Sequence, residues 1–244
     1  MKETVILFGA NSAIARAYIS QLETLNRSIQ LICISRSSTD QIKSDTVKLA
    51  YFQSDYSKDS LTNIIANLKK NTILTQAIIF NGQLHVKSKM PEKKLSELDV
   101  DYFQDIMTAN ALIPIQCVSS LWPLLNHKTP CTIVAFSARV GSIEDNKLGG
   151  WYSYRASKAA LNMLFKSAAI EIERKAKLTK LILFHPGTTD TELSKPFHKS
   201  VINGQLFSTE FVARQLLEIQ QKKFTHQSNR EPAFIDWKGE DIPW

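Results

Sequence analysis

The chain has 244 residues, 43% of them hydrophobic and 22% charged, with a formal net charge of +7. That is long enough to bury one sizeable core and too apolar for a disordered chain. No apolar run reaches the roughly 18 residues of a membrane helix, three cysteines are too few for a disulfide scaffold, and the scattered lysines form no basic stripe interleaved with aromatics.

Neither a membrane nor a nucleic acid is therefore an expected partner, and a reducing, cytoplasmic compartment is expected. The start, Met1 to Thr4, carries an acid and precedes only four strongly apolar residues, so it does not read as a secretory signal.

Short β-rich apolar runs alternate with helical periods along the chain. Residues 5–8 read as a first buried strand, and Ile14, Tyr18, Leu22 and Leu25 then share one helix face. Residues 29–34 and 47–52 read as two more strands. Leu61, Ile64, Ile65 and Leu68 mark the next helix, and residues 77–80 the fourth strand. Residues 102–125 are mostly helical, with interruptions at Pro114 and Pro123. Strands follow at 131–136 and 180–184, separated by a helix carrying Leu161, Leu164, Phe165, Ala168 and Ile172 on one face. Val212, Leu216 and Ile219 mark the last helix, and residues 233–235 a weaker seventh strand.

Such alternation predicts an α/β fold: one doubly wound parallel sheet of about seven strands, Rossmann-type, with helices on both faces. No repeat or Pro/Ser-rich linker divides residues 1–244, so one domain is expected. The long polar loops 140–150 and 188–205 follow strands, where function concentrates.

The chain has only 8 glycines. Six of them, Gly9, Gly82, Gly141, Gly149, Gly150 and Gly187, fall just past predicted strands or at the entry to the next helix. Ligands bind at that edge of doubly wound sheets, although any strand-helix turn also favours glycine. The turn Gly9-Ala10-Asn11-Ser12-Ala13-Ile14 leads into a helix whose free N–H groups could meet a phosphate. Ser35 and Arg36 end the second strand. An arginine there suits a ribose 2′-phosphate, and a plain exposed loop arginine is the alternative. The five histidines, His85, His127, His185, His198 and His226, show no metal-ligand spacing.

Tyr154-Arg155-Ala156-Ser157-Lys158 puts a tyrosine and a lysine on one helix face. It follows a strand ending in Ser137 and a long loop. Asn110 lies upstream, and Pro186-Gly187 follow the next strand. This ordered set resembles the short-chain dehydrogenase/reductase family over nearly the whole chain. The segment from Ser142-Ile143 through Gly149-Gly150-Trp151-Tyr152-Ser153-Tyr154 and the ending Asp236 to Trp244 look like the branch of C-factor-like signalling proteins and sniffer-type carbonyl reductases.

The resemblance implies an oxidoreductase that moves a hydride between a nicotinamide and a small carbonyl or alcohol substrate. Tyr154 would be the general acid/base, Lys158 would lower its pKa and hold the nicotinamide ribose, and Asn110 would position a water. Gly9, Asn11, Ser12, Ala13 and Ile14 would hold the pyrophosphate. Asp55 and the Tyr56 backbone would meet adenine, and Asn81-Gly82 would abut the cofactor. Pro186, Gly187, Thr189 and Thr191 would hold the carboxamide end. With Ser35-Arg36, NADP(H) is expected over NAD(H). A homodimer or homotetramer would form through the helices spanning 101–125 and 151–175.

Four residues depart from the family pattern, the first being Phe8 where the turn's threonine belongs. Ala13 and Ala15 replace glycines of the pyrophosphate turn, and Ala138 stands where the catalytic serine belongs, leaving Ser137 as the substitute. Two further readings stand beside the enzyme: a dinucleotide-binding signalling protein with little catalysis, and a methyltransferase. Ser35-Arg36, with no acid after the second strand, argues against the methyltransferase.

Overall fold

The computed structural model describes residues 3–25, 27–37, 47–68, 72–86, 89–126, 128–201, 205–222 and 231–244. His127 and His226 lie outside them. Strand β1 (Glu3–Phe8) is apolar because both its faces are covered. Ile6 and Phe8 enter one core cluster, and Val5 and Leu7 the other, as the two-residue period of a strand requires.

Six further strands join it: β2 (Ile29–Ser35), β3 (Lys48–Gln53), β4 (Ile73–Ile79), β5 (Cys131–Phe136), β6 (Thr179–His185) and β9 (Ala233–Asp236). Their order is β3-β2-β1-β4-β5-β6-β9, and every neighbouring pair is parallel. The expected seven-stranded, doubly wound α/β fold is borne out. Helices α1 (Ala13–Glu23) and α6 (Thr209–Lys222) cover one face. Helices α2 (Lys58–Ala66), α4 (Ile113–Ser120) and α5 (Tyr152–Lys175) cover the other. The chain moves outward from β1 to β3 and returns to β4 beside β1. That reversal opens a crevice at the carboxyl ends of β1 and β4.

Three local features differ from the sequence reading. Strand β4 begins at Ile73 rather than 77, because its polar residues find partners: Thr75 Oγ1 donates to the Thr4 carbonyl, and Gln76 Oε1 lies 2.9 Å from the Tyr18 hydroxyl. Strand β3 is half-exposed, being the sheet edge. The expected loop 188–205 opens with a short strand, β7 (Thr188–Thr189), which pairs in parallel with β8 (Leu206–Phe207) just after it.

The stretch 100–120 is helical but stepped. Helix α3 (Val100–Met107) passes through a π turn (Thr108–Leu112) into α4. Pro114 has no N–H to give the carbonyl of Asn110 four residues earlier, so a regular α ladder cannot continue there. The Ile113 N–H instead reaches back five residues, to the Thr108 carbonyl.

Candidate active site

Helix α5 brings Tyr154 and Lys158 to the crevice one turn apart. Its start is held by a residue with no local signal in the sequence. The buried Glu92 carboxylate accepts from the Ser153 N–H at 3.2 Å and from the Ser153 hydroxyl. The Glu92 carbonyl accepts from Trp151, whose φ of +52° turns the chain into the helix. An anion at a helix N-terminus is favoured by the free N–H groups and the helix dipole.

Asn110, fully buried in the π turn, ties three segments together. Its Oδ1 accepts from the Gln83 N–H at 2.6 Å, and its Nδ2 donates to the Gln83 carbonyl at 2.8 Å and to Ser157 Oγ at 3.0 Å. Ser157 in turn donates to the Tyr154 carbonyl. Lys158 Nζ donates to the Phe136 carbonyl at 2.8 Å and lies 5.7 Å from the centre of the Tyr154 ring. A β-carbon on Gly82 would lie 3.6 Å from both Lys158 Nζ and Asn110 Oδ1, so this glycine leaves the approach to both open. Gly141 serves differently: a β-carbon there would come within 2.8 Å of Lys158 Cβ, so its absence lets the turn after β5 press onto α5.

Burial pushes the Tyr154 phenol well above its usual range, with Tyr102 adding to the rise. Burial pulls Lys158 down to about 7. At neutral pH the phenol is protonated, which is the form that can give a proton away.

At the first turn, Gly9 has a φ of +74°, and a β-carbon there would sit 3.1 Å from the Asn81 nitrogen. The Gly9 N–H reaches the Ile34 carbonyl and the buried Tyr56 hydroxyl, and that hydroxyl donates to Ile34 O. The Tyr56 side chain therefore braces the turn from below, whereas only its backbone was expected at the site. Ser12 caps α1 by accepting from the Ala15 N–H. Ala13 is exposed at the helix start, and Ile14 is half-buried. Asn11 Nδ2 donates to Ser35 Oγ and Ser37 Oγ, fastening the end of β2. Arg36 is exposed there and makes no ion pair among the described residues. Asp55 is exposed, and the Ser57 hydroxyl and N–H hold its carboxyl below the usual range.

Ser137 is not brought to Tyr154. Its buried hydroxyl donates to Asn162 Oδ1 at 2.7 Å. The next residue, Ala138, packs against the cluster of Leu84, Tyr102, Ile106 and Tyr154. Both follow from extended backbone, where neighbours point to opposite sides. Beyond β6, Phe207 and Trp237 close over Gly187. Thr191 Oγ1 donates to the Thr189 carbonyl, while Thr189 Oγ1 is buried with no partner. His185 Nδ1 is buried likewise, and burial, with Arg139 second, pulls that imidazole down to about 4.

The short chain dehydrogenase pattern matches residues 3–201. The chain belongs to the short chain dehydrogenase family. This dehydrogenase is 29% identical over 194 residues, 80% of its length and 81% of the relative's, to 1-hydroxy-2-glutathionyl-2-methyl-3-butene dehydrogenase of a Rhodococcus species. It is 31% identical over 148 residues, 60% of its length and 82% of the relative's, to the C-signal protein of Myxococcus xanthus. The expected likeness to C-factor-type proteins is borne out. Among solved structures, carbonyl reductase Sniffer of Drosophila melanogaster superposes over the whole of both chains with a TM-score of 0.80 at 18% identity. A short-chain dehydrogenase/reductase from Burkholderia multivorans with bound NADP does so at 0.78 and 21%. The chain is thus a hydride-transfer oxidoreductase by family.

The residues present fit a nicotinamide dinucleotide. The open side of Gly82, the unpartnered Thr189 hydroxyl and Arg36, which has no ion pair among the described residues, lie along one sheet edge. The misfit is Ala13, whose methyl stands at the start of α1 where backbone alone would let a pyrophosphate come closest. No described helix of the dehydrogenase is long and apolar enough to cross a membrane.

Proposed function

We propose that this protein is an NADP(H)-dependent carbonyl reductase, acting in reverse as an alcohol dehydrogenase, with Tyr154 as general acid/base. The convergence of Asn110, Tyr154 and Lys158 beside Gly82 carries this reading. A bound reduced nicotinamide supplies the hydride. The protein does the rest. Tyr154 gives its phenolic proton to the carbonyl oxygen. Lys158 keeps further donors for ribose hydroxyls after its bond to Phe136. Asn110, at the π turn, positions a water that returns a proton to the phenolate. Pro186, Gly187, Thr189 and Thr191 hold the carboxamide end, Asp55 and Tyr56 flank adenine, and Arg36 with Ser35 takes a 2′-phosphate, in keeping with the NADP bound in the Burkholderia structure.

The substrate is a small carbonyl or alcohol compound, received by the apolar wall of Leu84, Val86, Val140, Trp151, Leu193 and Phe197. A homodimer or homotetramer forms through the helical stretches 101–125 and 151–175, where Leu112, Met163 and Ile170 are exposed.

Ala138 favours one other reading, a dinucleotide-binding signalling protein with little catalysis. Fluorescence titration with NADPH and NADH, followed by turnover of aldehydes, ketones and quinones, separates the two. The reductase binds NADPH more tightly and loses about 10²–10⁴ in rate in Tyr154→Phe. NADPH binding with no turnover across the panel supports the signalling reading.

A further inference from the structure

Two non-glycine residues among those described have a positive φ, Tyr56 at +67° and Trp151 at +52°. That region is unfavourable for a bulky side chain and persists only where the surroundings hold it. At Tyr56 the holder is Ser54. Its Oγ accepts from the Tyr56 N–H at 3.0 Å, and its own N–H donates to the Ser35 carbonyl at 2.9 Å.

The buried Tyr56 ring reaches far from its own strand. Tyr56 follows β3, yet its hydroxyl meets Gly9 at the end of β1, with the end of β2 in between. The contact is a closed triangle. The Gly9 N–H is shared between the Ile34 carbonyl at 2.9 Å and the phenol oxygen at 2.8 Å. The phenol donates its own proton to that same carbonyl at 3.1 Å. Gly9 is also pressed against the loop after β4, where its missing β-carbon would lie 3.1 Å from the Asn81 nitrogen.

Ile34 alone satisfies the Gly9 N–H, so the phenol is not needed to pair it. What the phenol adds is position. The Gly9 carbonyl accepts from the Ser12 N–H at 3.0 Å, and Ser12 caps α1. Any shift of Gly9 therefore moves the free N–H groups at the start of that helix, the groups suited to phosphate.

We infer that Tyr56 is a positioning residue for the cofactor's pyrophosphate: its hydroxyl fixes the Gly9 turn, and through Ser12 the start of α1. The inference rests on the nicotinamide-cofactor reading. Ala13 sharpens the demand, because its methyl already stands where bare backbone would let phosphates come closest. The adenosine end has separate fastenings, from Asn11 Nδ2 to Ser35 Oγ and Ser37 Oγ. Loss of the phenol should therefore be felt at the pyrophosphate and not at the adenosine.

The test titrates wild type and Tyr56→Phe with NADPH, NADH and adenosine 2′-monophosphate, which carries no pyrophosphate. The variant should raise the Kd of both dinucleotides by one common factor, about three- to tenfold, the worth of one hydrogen bond. The Kd of adenosine 2′-monophosphate should change less than about twofold, as for a separate site. In turnover, KM for NADPH should rise more than kcat falls.

A second readout works on wild type alone and stands if the variant does not fold. Phe8-Gly9 is the single Phe-Gly step in the sequence, so carbonyl-labelled phenylalanine with nitrogen-labelled glycine isolates the Gly9 amide signal in NMR spectra. NADPH should slow solvent exchange of that amide at least about tenfold. Unchanged exchange, unchanged dinucleotide affinities, a loss confined to NADPH, or an equal loss for adenosine 2′-monophosphate overturns the role of Tyr56. Wild type that binds neither NADPH nor NADH overturns the nicotinamide-cofactor reading itself.

Discussion

Glu92 holds Ser153 through both of that residue's donors, its backbone N–H and its hydroxyl, one position before Tyr154. The contact spans 61 residues of chain and joins the segment after β4 to the start of α5. It makes Glu92 a positioning residue for the phenol.

Glu92→Ala leaves both Ser153 donors without this partner and removes an anion from a helix N-terminus. A loss of about 2–3 kcal/mol is expected in denaturant unfolding. In turnover, kcat should fall more than KM for the carbonyl substrate changes. Glu92→Gln keeps one acceptor oxygen and should recover part of both losses. Equal damage from the two variants would place the role of Glu92 elsewhere.

Lys158 gives a pH dependence of stability. Its folded pKa lies near 7, below the 10.5 of an unperturbed lysine. Between those values the unfolded chain binds more protons, so this group makes wild-type stability rise with pH from about 7 to about 10.5. Below 7 the burial penalty is fully present. Lys158→Met removes the penalty, so melting temperatures should show the variant gaining most on wild type near pH 6 and least near pH 10. A difference independent of pH would refute the buried, neutralised lysine.

Ser137→Ala deletes a buried hydrogen bond and leaves Asn162 Oδ1 without its donor. About 1–3 kcal/mol of stability should be lost, measured by chemical denaturation. Affinity for NADPH should not change, because that hydroxyl faces α5 rather than the crevice.

Arg36→Ala should weaken NADPH binding by about 10- to 100-fold, the worth of a charge-assisted contact, and leave NADH binding nearly unchanged. Fluorescence titration reads both. An equal loss for the two cofactors would mean that Arg36 does not contact the 2′-phosphate.

The sheet was legible in the sequence because a doubly covered strand such as β1 must be apolar on both faces. Tyr154, Lys158 and Asn110 were singled out through the family resemblance that their order and spacing carry. Boundaries failed where polar residues sit in buried strands: Thr75 and Gln76 read as loop until Thr4 and Tyr18 supply their partners. Glu92 and the Tyr56 hydroxyl were invisible for a different reason. Each acts on a residue far away in the chain, Ser153 and Gly9, and no local period records such a contact. Ser137 was the ambiguous case. Only the extended turn after β5 shows which of two adjacent side chains faces Tyr154.

The π turn at Thr108–Leu112 amounts to one surplus residue threaded into a helix. The surplus is absorbed within that single turn, so Cys117, Val118 and Leu121 stay in the phase that fills the core. The bulge that presents Asn110 is therefore a local insertion, carried by the helix without disturbing the wall of the protein that follows it.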